Sequence, residues 1–220
     1  MATWVMHFRI AEYFRTRLEV EEVPFIVGNI GPDCGEPNED WSQFTPPSNV
    51  THWSDGESKR DIDSEAFYIR YLSDTKKLSK NQYSFYLGYY LHLLTDIAFS
   101  QETWKPLNEK YKEAFTKDKN FIWKVKKDWY DLDHLYLKEH PDFFPFKVFE
   151  KIEAFPNEYL DYYSDTAIIK QIQYITKFYQ KQREDLDRVY TYLTKEEVDD
   201  FIKRTCKKIE EKLNEKIRGI

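Results

Sequence analysis

The stretch Ser84–Phe99 constrains the fold of this chain more than any other, because it is long, rich in large apolar residues and free of proline. It contains almost no charge, which predicts a helix buried on most of its sides. His92 and Asp96 lie inside it one helical turn apart, so their side chains share a face. A buried carboxylate is costly unless a cation compensates it. The stretch therefore predicts a metal ion or an Arg or Lys partner at this face, and a core histidine hydrogen-bonded within its own helix is the alternative.

The length of 220 residues suffices for one sizeable core, and we expect residues 1–220 to form a single domain. No segment reaches the roughly 20 apolar residues of a membrane span, so no transmembrane segment is expected. The N-terminus becomes charged too early for a secretory signal peptide, which favours a cytoplasmic protein. Cys34 and Cys206 lie far apart and lack zinc-knuckle spacing, so any metal site must use histidine and carboxylate.

The distribution of charge indicates which kinds of partner the protein could bind. The 33 basic and 39 acidic residues give a net charge of −6, and the two signs are interleaved. This makes a nucleic-acid partner less favoured, because such proteins usually present a broad basic face. Aromatic residues make up 18% of the chain, which is explained most simply by packing in a helical core. The oligomeric state is not indicated by these totals.

The first fifty residues combine a helix with a loop. Apolar residues at helical spacing predict a helix over Thr3–Leu18, with His7 on its inward face. Glycine and proline are dense through Glu21–Thr51, which predicts a long ordered loop that carries Asp33. His52 follows this loop in a Thr-His-Trp sequence that offers no obvious role in the core. Long loops in compact domains are often functional, which makes both side chains candidates for a site.

The rest of the chain predicts further helices. Lys119–Lys138 carries Asp128, Asp131 and His134 at spacings of three, so these side chains can share a face; metal ligands and an ordinary acidic surface are both open. Helices are also predicted over Thr166–Val189 and Thr194–Ile217. Thr194 and Glu197 have the spacing of a capping box at the start of the last one. The fold predicted is thus an all-α, multi-helix bundle with a long ordered loop near the N-terminus.

Four motifs in order resemble those of the zinc-dependent phospholipase C family, which is related to S1/P1-type nucleases. They are His7 in the first helix, Gly-Asn-Ile-Gly-Pro-Asp ending at Asp33, Thr-His-Trp around His52, and Gly-Tyr-Tyr-Leu-His-Leu-Leu-Thr-Asp ending at Asp96. The resemblance covers the first half of the chain. It implies an all-helical enzyme with metal ions in a cleft between helices.

The resemblance also implies ligands. Asp33, His52, His92 and Asp96 would surround one zinc ion, and a second ion would be shared by Asp96 and held by His7. A further ion in the family uses later residues, for which this chain offers three carboxylates: Glu102, Asp128 and Asp131. Zn²⁺ is expected at one site at least, and an oxygen-rich ligand set would also accept another divalent metal.

Two nitrogen and two oxygen donors suit zinc, and a helix and a loop can bring them together. The function predicted is hydrolysis of a phosphodiester, such as a phospholipid headgroup ester or another small phosphoester, by metal-activated water. Asp33 is the candidate for orienting or deprotonating that water. Trp41, Phe44 and Trp53 are candidates for contacting the organic part of the substrate. The alternatives are a non-catalytic helical protein with a structural metal, a nuclease-type phosphodiesterase, and an acidic interaction module without metal.

Overall fold

The computed structural model of the protein describes residues 1–40, 42–55 and 61–218, without the side chains of residues 217 and 218. Its architecture is all-α, as the sequence predicts. The helices in chain order are α1 (Trp4–Arg15), α2 (Glu22–Gly28), α3 (Ser48–Thr51), α4 (Ser64–Tyr71), α5 (Lys80–Phe99), α6 (Lys105–Lys110), α7 (Lys112–Lys117), α8 (Phe121–Glu139), α9 (Phe144–Phe149), α10 (Ala167–Gln180) and α11 (Lys195–Arg218). Two short strands, β1 (Glu36–Pro37) and β2 (Phe44–Thr45), pair antiparallel between α2 and α3.

Helix α5 runs through the interior and contacts α1, α2, α4 and α11. It begins at Lys80 rather than at Ser84, because Ser79 and Gln82 form a capping box. The Gln82 backbone N–H donates to Ser79 Oγ at 3.2 Å, and the Ser79 backbone N–H donates to Gln82 Oε1 at 3.0 Å. These two hydrogen bonds satisfy N–H groups that the first turn of a helix otherwise leaves unpaired. The polar residues directly before Ser84 therefore form the capped first turn of α5.

Part of the predicted long loop is helical, which corrects the sequence-based expectation. Glu22–Gly28 forms α2, and Pro24 lies in its first turn, where the missing N–H of proline costs nothing. Gly28 reflects close packing rather than a turn. A Cβ atom on Gly28 would lie 2.1 Å from the Phe85 carbonyl oxygen, and one on Gly88 would lie 2.3 Å from the Phe25 carbonyl oxygen. The two glycines thus let the backbones of α2 and α5 touch. What remains of the loop is the segment that holds a short 3₁₀ turn (Gly31–Asp33), the two strands and α3.

Helix α10 is shorter than predicted and ends at Gln180 rather than at Val189. The following segment turns back onto α8, where Asp128 Oδ2 accepts the backbone N–H groups of Thr191 and Tyr192, each at 2.8 Å. The side chain of Val189 is 88% exposed, so its apolar character does not mark a core position. The predicted start of α11 is confirmed by its capping box, since the Glu197 N–H donates to Thr194 Oγ1 and the Thr194 N–H to Glu197 Oε2.

The buried apolar residues from Ala2 to Ile209 form a hydrophobic cluster that joins all the long helices. Its largest members are aromatic, and several stack directly; for example, the Phe67 and Tyr89 rings lie 4.6 Å apart and almost parallel. The aromatic residues therefore pack the core, as expected from their number. In the part of the chain that the structure describes, no helix combines the length and the apolar character needed to cross a membrane.

Candidate metal centre

Five polar side chains meet where α1, the 3₁₀ turn, α3 and α5 converge beneath the protein surface. Among the described residues, two groups of three offer ligand atoms within 4.8 Å of one another: His7, His92 and Asp96 form one, and Asp33, His52 and His92 the other. We call these five residues the metal cluster. The side chains of His7, His52, His92 and Asp96 are at most 2% exposed, and Asp33 is partly buried.

The Asp96 carboxylate lies at the centre of the cluster. Its Oδ1 accepts the Ala2 backbone N–H at 2.8 Å and lies 3.5 Å from His7 Nε2. Its Oδ2 lies 3.5 Å from His52 Nε2 and 3.6 Å from His92 Nε2, and has no hydrogen-bond partner among the described residues. Burial opposes ionisation, but the N-terminal amino group and the His7 and His92 imidazoles outweigh it, so the pKa of Asp96 lies well below its usual value. A buried carboxylate is thus held ionised with one oxygen unsatisfied.

Backbone carbonyls orient two of the imidazoles. His92 Nδ1 lies 2.8 Å from the carbonyl oxygen of Asn29, and His52 Nδ1 lies 3.1 Å from the carbonyl oxygen of Ser48. A carbonyl oxygen only accepts, so Nδ1 of His92 donates to Asn29 and Nε2 is the atom that faces Asp96. Nδ1 of His52 also lies 3.0 Å from Thr51 Oγ1. Histidines that bind metals are commonly held in this way, with the second ring nitrogen donating to a carbonyl or carboxylate.

His7 is the least hydrogen-bonded member of the cluster. Its ring stacks on His92 with the centroids 3.6 Å apart and the planes within 3°, and neither of its nitrogens has a hydrogen-bond partner among the described residues. Burial and the neighbouring His92 lower the pKa of His7 to about 4. The ring is therefore neutral at physiological pH, which is the form that binds metal ions.

The separations within the cluster fit a metal ion better than they fit hydrogen bonds. The Nε2-to-oxygen distances are 3.4 Å for His52 and Asp33, 3.5 Å for His52 and Asp96, and 3.6 Å for His92 and Asp96. Hydrogen bonds from N–H to oxygen are usually about 2.7–3.2 Å long. Tetrahedral zinc with bonds of about 2.0–2.1 Å places its ligand atoms roughly 3.3–3.4 Å apart. The donor set and its spacing are thus those of a zinc site, and the ligand roles of these five residues stay predictions.

Asp33 joins the cluster at its least buried side. Its Oδ1 lies 3.4 Å from His52 Nε2, and its Oδ2 accepts the indole N–H of Trp4 at 3.0 Å. The Trp4 ring in turn packs edge-on against Phe178 and the partly exposed Tyr174. An aromatic surface therefore adjoins the carboxylate that lies closest to solvent.

The three other carboxylates predicted as ligands lie elsewhere. Glu102 follows α5 in a π-helical turn (Ser100–Trp104), and its oxygens accept from Arg204 at 3.1 Å and Lys208 at 2.5 Å on α11. Asp128 and Asp131 share Arg188, with both contacts at 2.7 Å. Neither of the two candidate metal groups found among the described residues includes any of the three. Their carboxylates are matched by basic side chains, so we leave them out of the proposed ligand set.

The pair of aspartates on α8 makes a first prediction. Arg188→Ala should destabilise the protein by roughly 1–3 kcal/mol, because Asp128 loses its cation while Asp131 keeps Lys127 at 2.6 Å. Metal content should stay at the wild-type level. Denaturant unfolding measures the stability, and elemental analysis measures the metal content. Lys138→Ala is the matched control, since Lys138 reaches only an exposed aspartate. Loss of metal in Arg188→Ala at unchanged stability would return Asp128 and Asp131 to the ligand set.

Sequence reasoning missed the side chains that hold the ligand segments in place. Tyr163 OH donates to the carbonyl oxygen of Gly31 at 2.7 Å, two residues before Asp33. Tyr89 OH donates to the carbonyl oxygen of Thr51, directly before His52, and itself accepts from Tyr162 OH at 2.9 Å. Tyrosine is so frequent in this sequence that no local signal distinguishes these hydroxyl groups from ordinary packing residues.

The tyrosines make a second prediction. Tyr163→Phe should weaken metal binding by about 10-fold or more, because outer hydrogen bonds that orient ligands typically contribute that much. Competition with a chromophoric chelator measures the affinity. Replacing zinc by Co²⁺ adds a readout of ligand geometry, and the visible absorption bands should shift. Tyr190→Phe is the control, since its hydroxyl bonds to Leu186, away from the cluster. Unchanged affinity and an unchanged cobalt spectrum would show that Tyr163 has no positioning role.

Asp133 holds the helix that carries His7. Its carboxylate accepts from Thr3 Oγ1 and Tyr179 OH, each at 2.6 Å, so it ties the start of α1 to α8 and α10. Burial raises the pKa of Asp133 to about 7. The sequence analysis selected Asp128 and Asp131 on α8. The carboxylate of α8 that contacts the start of the His7 helix is instead that of Asp133.

The loop aromatics predicted to contact substrate are placed differently. Trp41 lies outside the described residues. Phe44 is 37% exposed on β2, and Trp53 packs edge-on against Phe67 and Tyr71. Trp53 is therefore committed to the aromatic core, and Trp4, Tyr174 and Phe178 form the aromatic surface beside Asp33.

Comparison with known proteins agrees with this site. Residues 5–99 match the family described as zinc dependent phospholipase C, and this segment contains all five residues of the metal cluster. No curated protein sequence and no solved structure matches the chain significantly. The resemblance that the four motifs indicate is thus confirmed for this part of the chain: residues 5–99 match the zinc-dependent phospholipase C family.

Proposed function

We propose that this protein is a metal-dependent hydrolase of phosphate esters, with zinc as its ion and a phospholipid-like phosphodiester as its substrate. The observation that carries the proposal is Asp96 Oδ2, which is buried, lacks a hydrogen-bond partner among the described residues and lies between two imidazole nitrogens. The N-terminal amino group offsets part of the charge of Asp96, and Oδ2 remains available to bind a cation. The family match supports a phosphoester as the substrate class.

The chain provides the binding atoms. Asp33 Oδ1, Asp96 Oδ2 and the Nε2 atoms of His52 and His92 would hold one ion, and His7 would hold a second ion beside Asp96 Oδ1. His92 belongs to both groups of candidate ligands, and one imidazole nitrogen binds one ion, so His92 would serve only one of them. A bound divalent ion would polarise the phosphoryl oxygens and lower the pKa of water toward about 7.

Asp33 is suited to handle the proton. It is the least buried residue of the cluster, its Oδ2 is held by Trp4, and its Oδ1 faces His52. From this position the carboxylate would orient the attacking water and accept its proton. The aromatic surface of Trp4, Tyr174 and Phe178 would contact the organic part of the substrate.

A second function is supported by the burial of the cluster. Four of its five side chains are almost completely buried, and closed zinc sites with four protein ligands are typically structural. In that case the ion would only fasten the 3₁₀ turn and α3 to α5. The two functions differ in what they require of Asp33, because a structural site needs no group that accepts a proton.

Asp33→Asn provides the third prediction and tests the two functions. Protein stripped with a chelator and reloaded with Zn²⁺ or Co²⁺ is assayed on bis-p-nitrophenyl phosphate and on p-nitrophenyl phosphorylcholine. We expect turnover by wild type, and a kcat lower by about 10²–10⁴ in Asp33→Asn at equal metal content, since the amide accepts no proton. Asp40→Asn, an exposed change in the same loop, should retain full activity. Wild-type protein with full metal content and no turnover on either ester would favour the structural function.

A further inference from the structure

A cavity of about 540 Å³ opens between the C-terminal half of α8, α9 and the segment after α10. This volume lies within the range of sites for small molecules, roughly 300–1,000 Å³. None of the five metal-cluster residues lines the cavity. Its walls come from residues beyond the segment that matches the family, so the activity proposed above does not account for it.

The rim of the cavity carries positive charge that its neighbours compensate poorly. Arg183 reaches Asp131 Oδ1 only at 3.7 Å, and the other oxygen of that carboxylate already accepts from Lys127 at 2.6 Å and Arg188 at 2.7 Å. Asp131 thus serves three cations, which leaves most of the charge of Arg183 available to a ligand.

Two lysines add to this surplus. Lys138 Nζ lies 3.9 Å from the carboxylate of Asp187, whose side chain is 88% exposed, so their interaction is weak. Lys181 has no ion pair within the described part of the chain. By contrast, Lys147 is paired with Glu150 at 2.9 Å, so this lysine carries no surplus. Three cations that are at most weakly paired among the described residues thus surround one cavity, in a chain with a net charge of −6.

A buried polar atom and an apolar floor complete the site. His134 lines the cavity with 6% of its surface exposed, and its Nε2 has no hydrogen-bond partner among the described residues. Burial, with a smaller effect of Arg183, lowers the pKa of His134 to about 4, so the ring is neutral and has one N–H to donate. The apolar lining includes Phe143, Phe146 and Leu186. A ligand that fits both parts has an anionic head and an apolar body.

We propose that this cavity is a second ligand site, which binds an amphiphilic organic anion through Lys138, Lys181, Arg183 and the His134 imidazole. The anionic head lies against the basic rim, and the apolar body covers the floor. Such an anion can come from a lipid, with an aliphatic chain, or from a compact aromatic metabolite. The site does not depend on the proposed hydrolase activity.

The test uses sulfonates, because a sulfonate is a weak ligand for zinc and reports on the cavity rather than on the metal cluster. Titration calorimetry of the full chain compares naphthalene-2-sulfonate and decane-1-sulfonate, below the concentration at which the latter forms micelles. The uncharged 2-naphthalenemethanol is the control ligand. We expect one sulfonate molecule per chain, an affinity that falls as salt rises, and weaker binding of the alcohol. The tighter of the two sulfonates identifies the aliphatic or the compact aromatic source.

The double variant Lys181→Ala/Arg183→Ala locates the binding. Both side chains are at least partly exposed, so the fold should be retained, and the affinity for the sulfonate should fall by roughly 10-fold or more. Lys207→Ala, an exposed change on α11, should leave the affinity unchanged. The proposal is overturned if the alcohol binds as tightly as the sulfonates, if the double variant binds like wild type, or if the sulfonates do not bind at one site per chain.

Discussion

Asp96→Asn is expected to destabilise the metal-loaded protein by more than it destabilises the metal-free protein. In the loaded protein the amide is a poor ligand, so the ion is lost together with its binding free energy. This amounts to about 4 kcal/mol when free metal is 1,000 times its Kd. Without metal, the substitution removes only the interactions that hold the pKa of Asp96 low, so the loss of stability should be smaller.

The difference between the losses of stability with and without metal separates a metal ligand from an ordinary core residue. Thermal unfolding is measured in zinc and in chelator for wild type, Asp96→Asn and His92→Ala, with metal content by elemental analysis. His140→Ala is the control, because His140 is exposed at the C-terminus of α8. His92→Ala should also lose metal, but it leaves a cavity in the core and should be less stable in both conditions. An equal loss of stability in zinc and in chelator for Asp96→Asn would refute the assignment of Asp96 as a ligand.

Gly28→Ala and Gly88→Ala are each expected to destabilise the protein by about 3 kcal/mol or more. An added Cβ would lie 2.1 Å or 2.3 Å from a backbone carbonyl oxygen, and a backbone cannot give way as a flexible side chain does. Helices α2 and α5 would have to move apart. Denaturant unfolding in the presence of chelator measures this cost without any contribution from metal.

The control for the glycines is Asn81→Ala, at an exposed position in the first turn of the same helix. Alanine is the better helix former there, so stability should stay equal or rise slightly. Alanine in a helix interior usually stabilises relative to glycine by about 0.5–1 kcal/mol. Stability equal to wild type in both glycine variants would therefore show that the two helices do not approach as closely as described.

The helical fold class and the four motifs could be predicted from the sequence, because both are recognised from the spacing of residues close together in the chain. His92 and Asp96 share a face through helical periodicity alone, and the motifs around Asp33 and His52 are short and contiguous. The sequence could not predict that α2 is a helix, because Gly28 and Pro24 are usual signals of a turn. In the structure, Pro24 lies in the first turn of α2 and Gly28 lies where α2 crosses α5. Only the tertiary structure reveals these positions.

The acidic helix shows the opposite difficulty. Asp128, Asp131 and Asp133 look alike in the sequence, and a spacing of three allows any of them to share a face. Their partners come from distant positions: Arg188 for the first two, and Thr3 and Tyr179 for the third. Spacing within one helix does not indicate which distant residue will face it, so the sequence could not distinguish a ligand from an ion pair.

The close packing of Gly28 against the Phe85 backbone and of Gly88 against the Phe25 backbone restricts which substitutions this protein tolerates. Asn29, whose carbonyl orients His92, directly follows one glycine, and His92 itself lies one helical turn beyond the other. A larger side chain at either crossing position would shift the carbonyl and the imidazole relative to each other, so the damage would reach chemistry as well as folding. A substitution on the facing helix cannot compensate, since the clash is with a backbone carbonyl oxygen that every residue carries. Any single substitution at Gly28 or Gly88 should therefore be deleterious, and both glycines should be retained in any descendant that keeps the metal cluster.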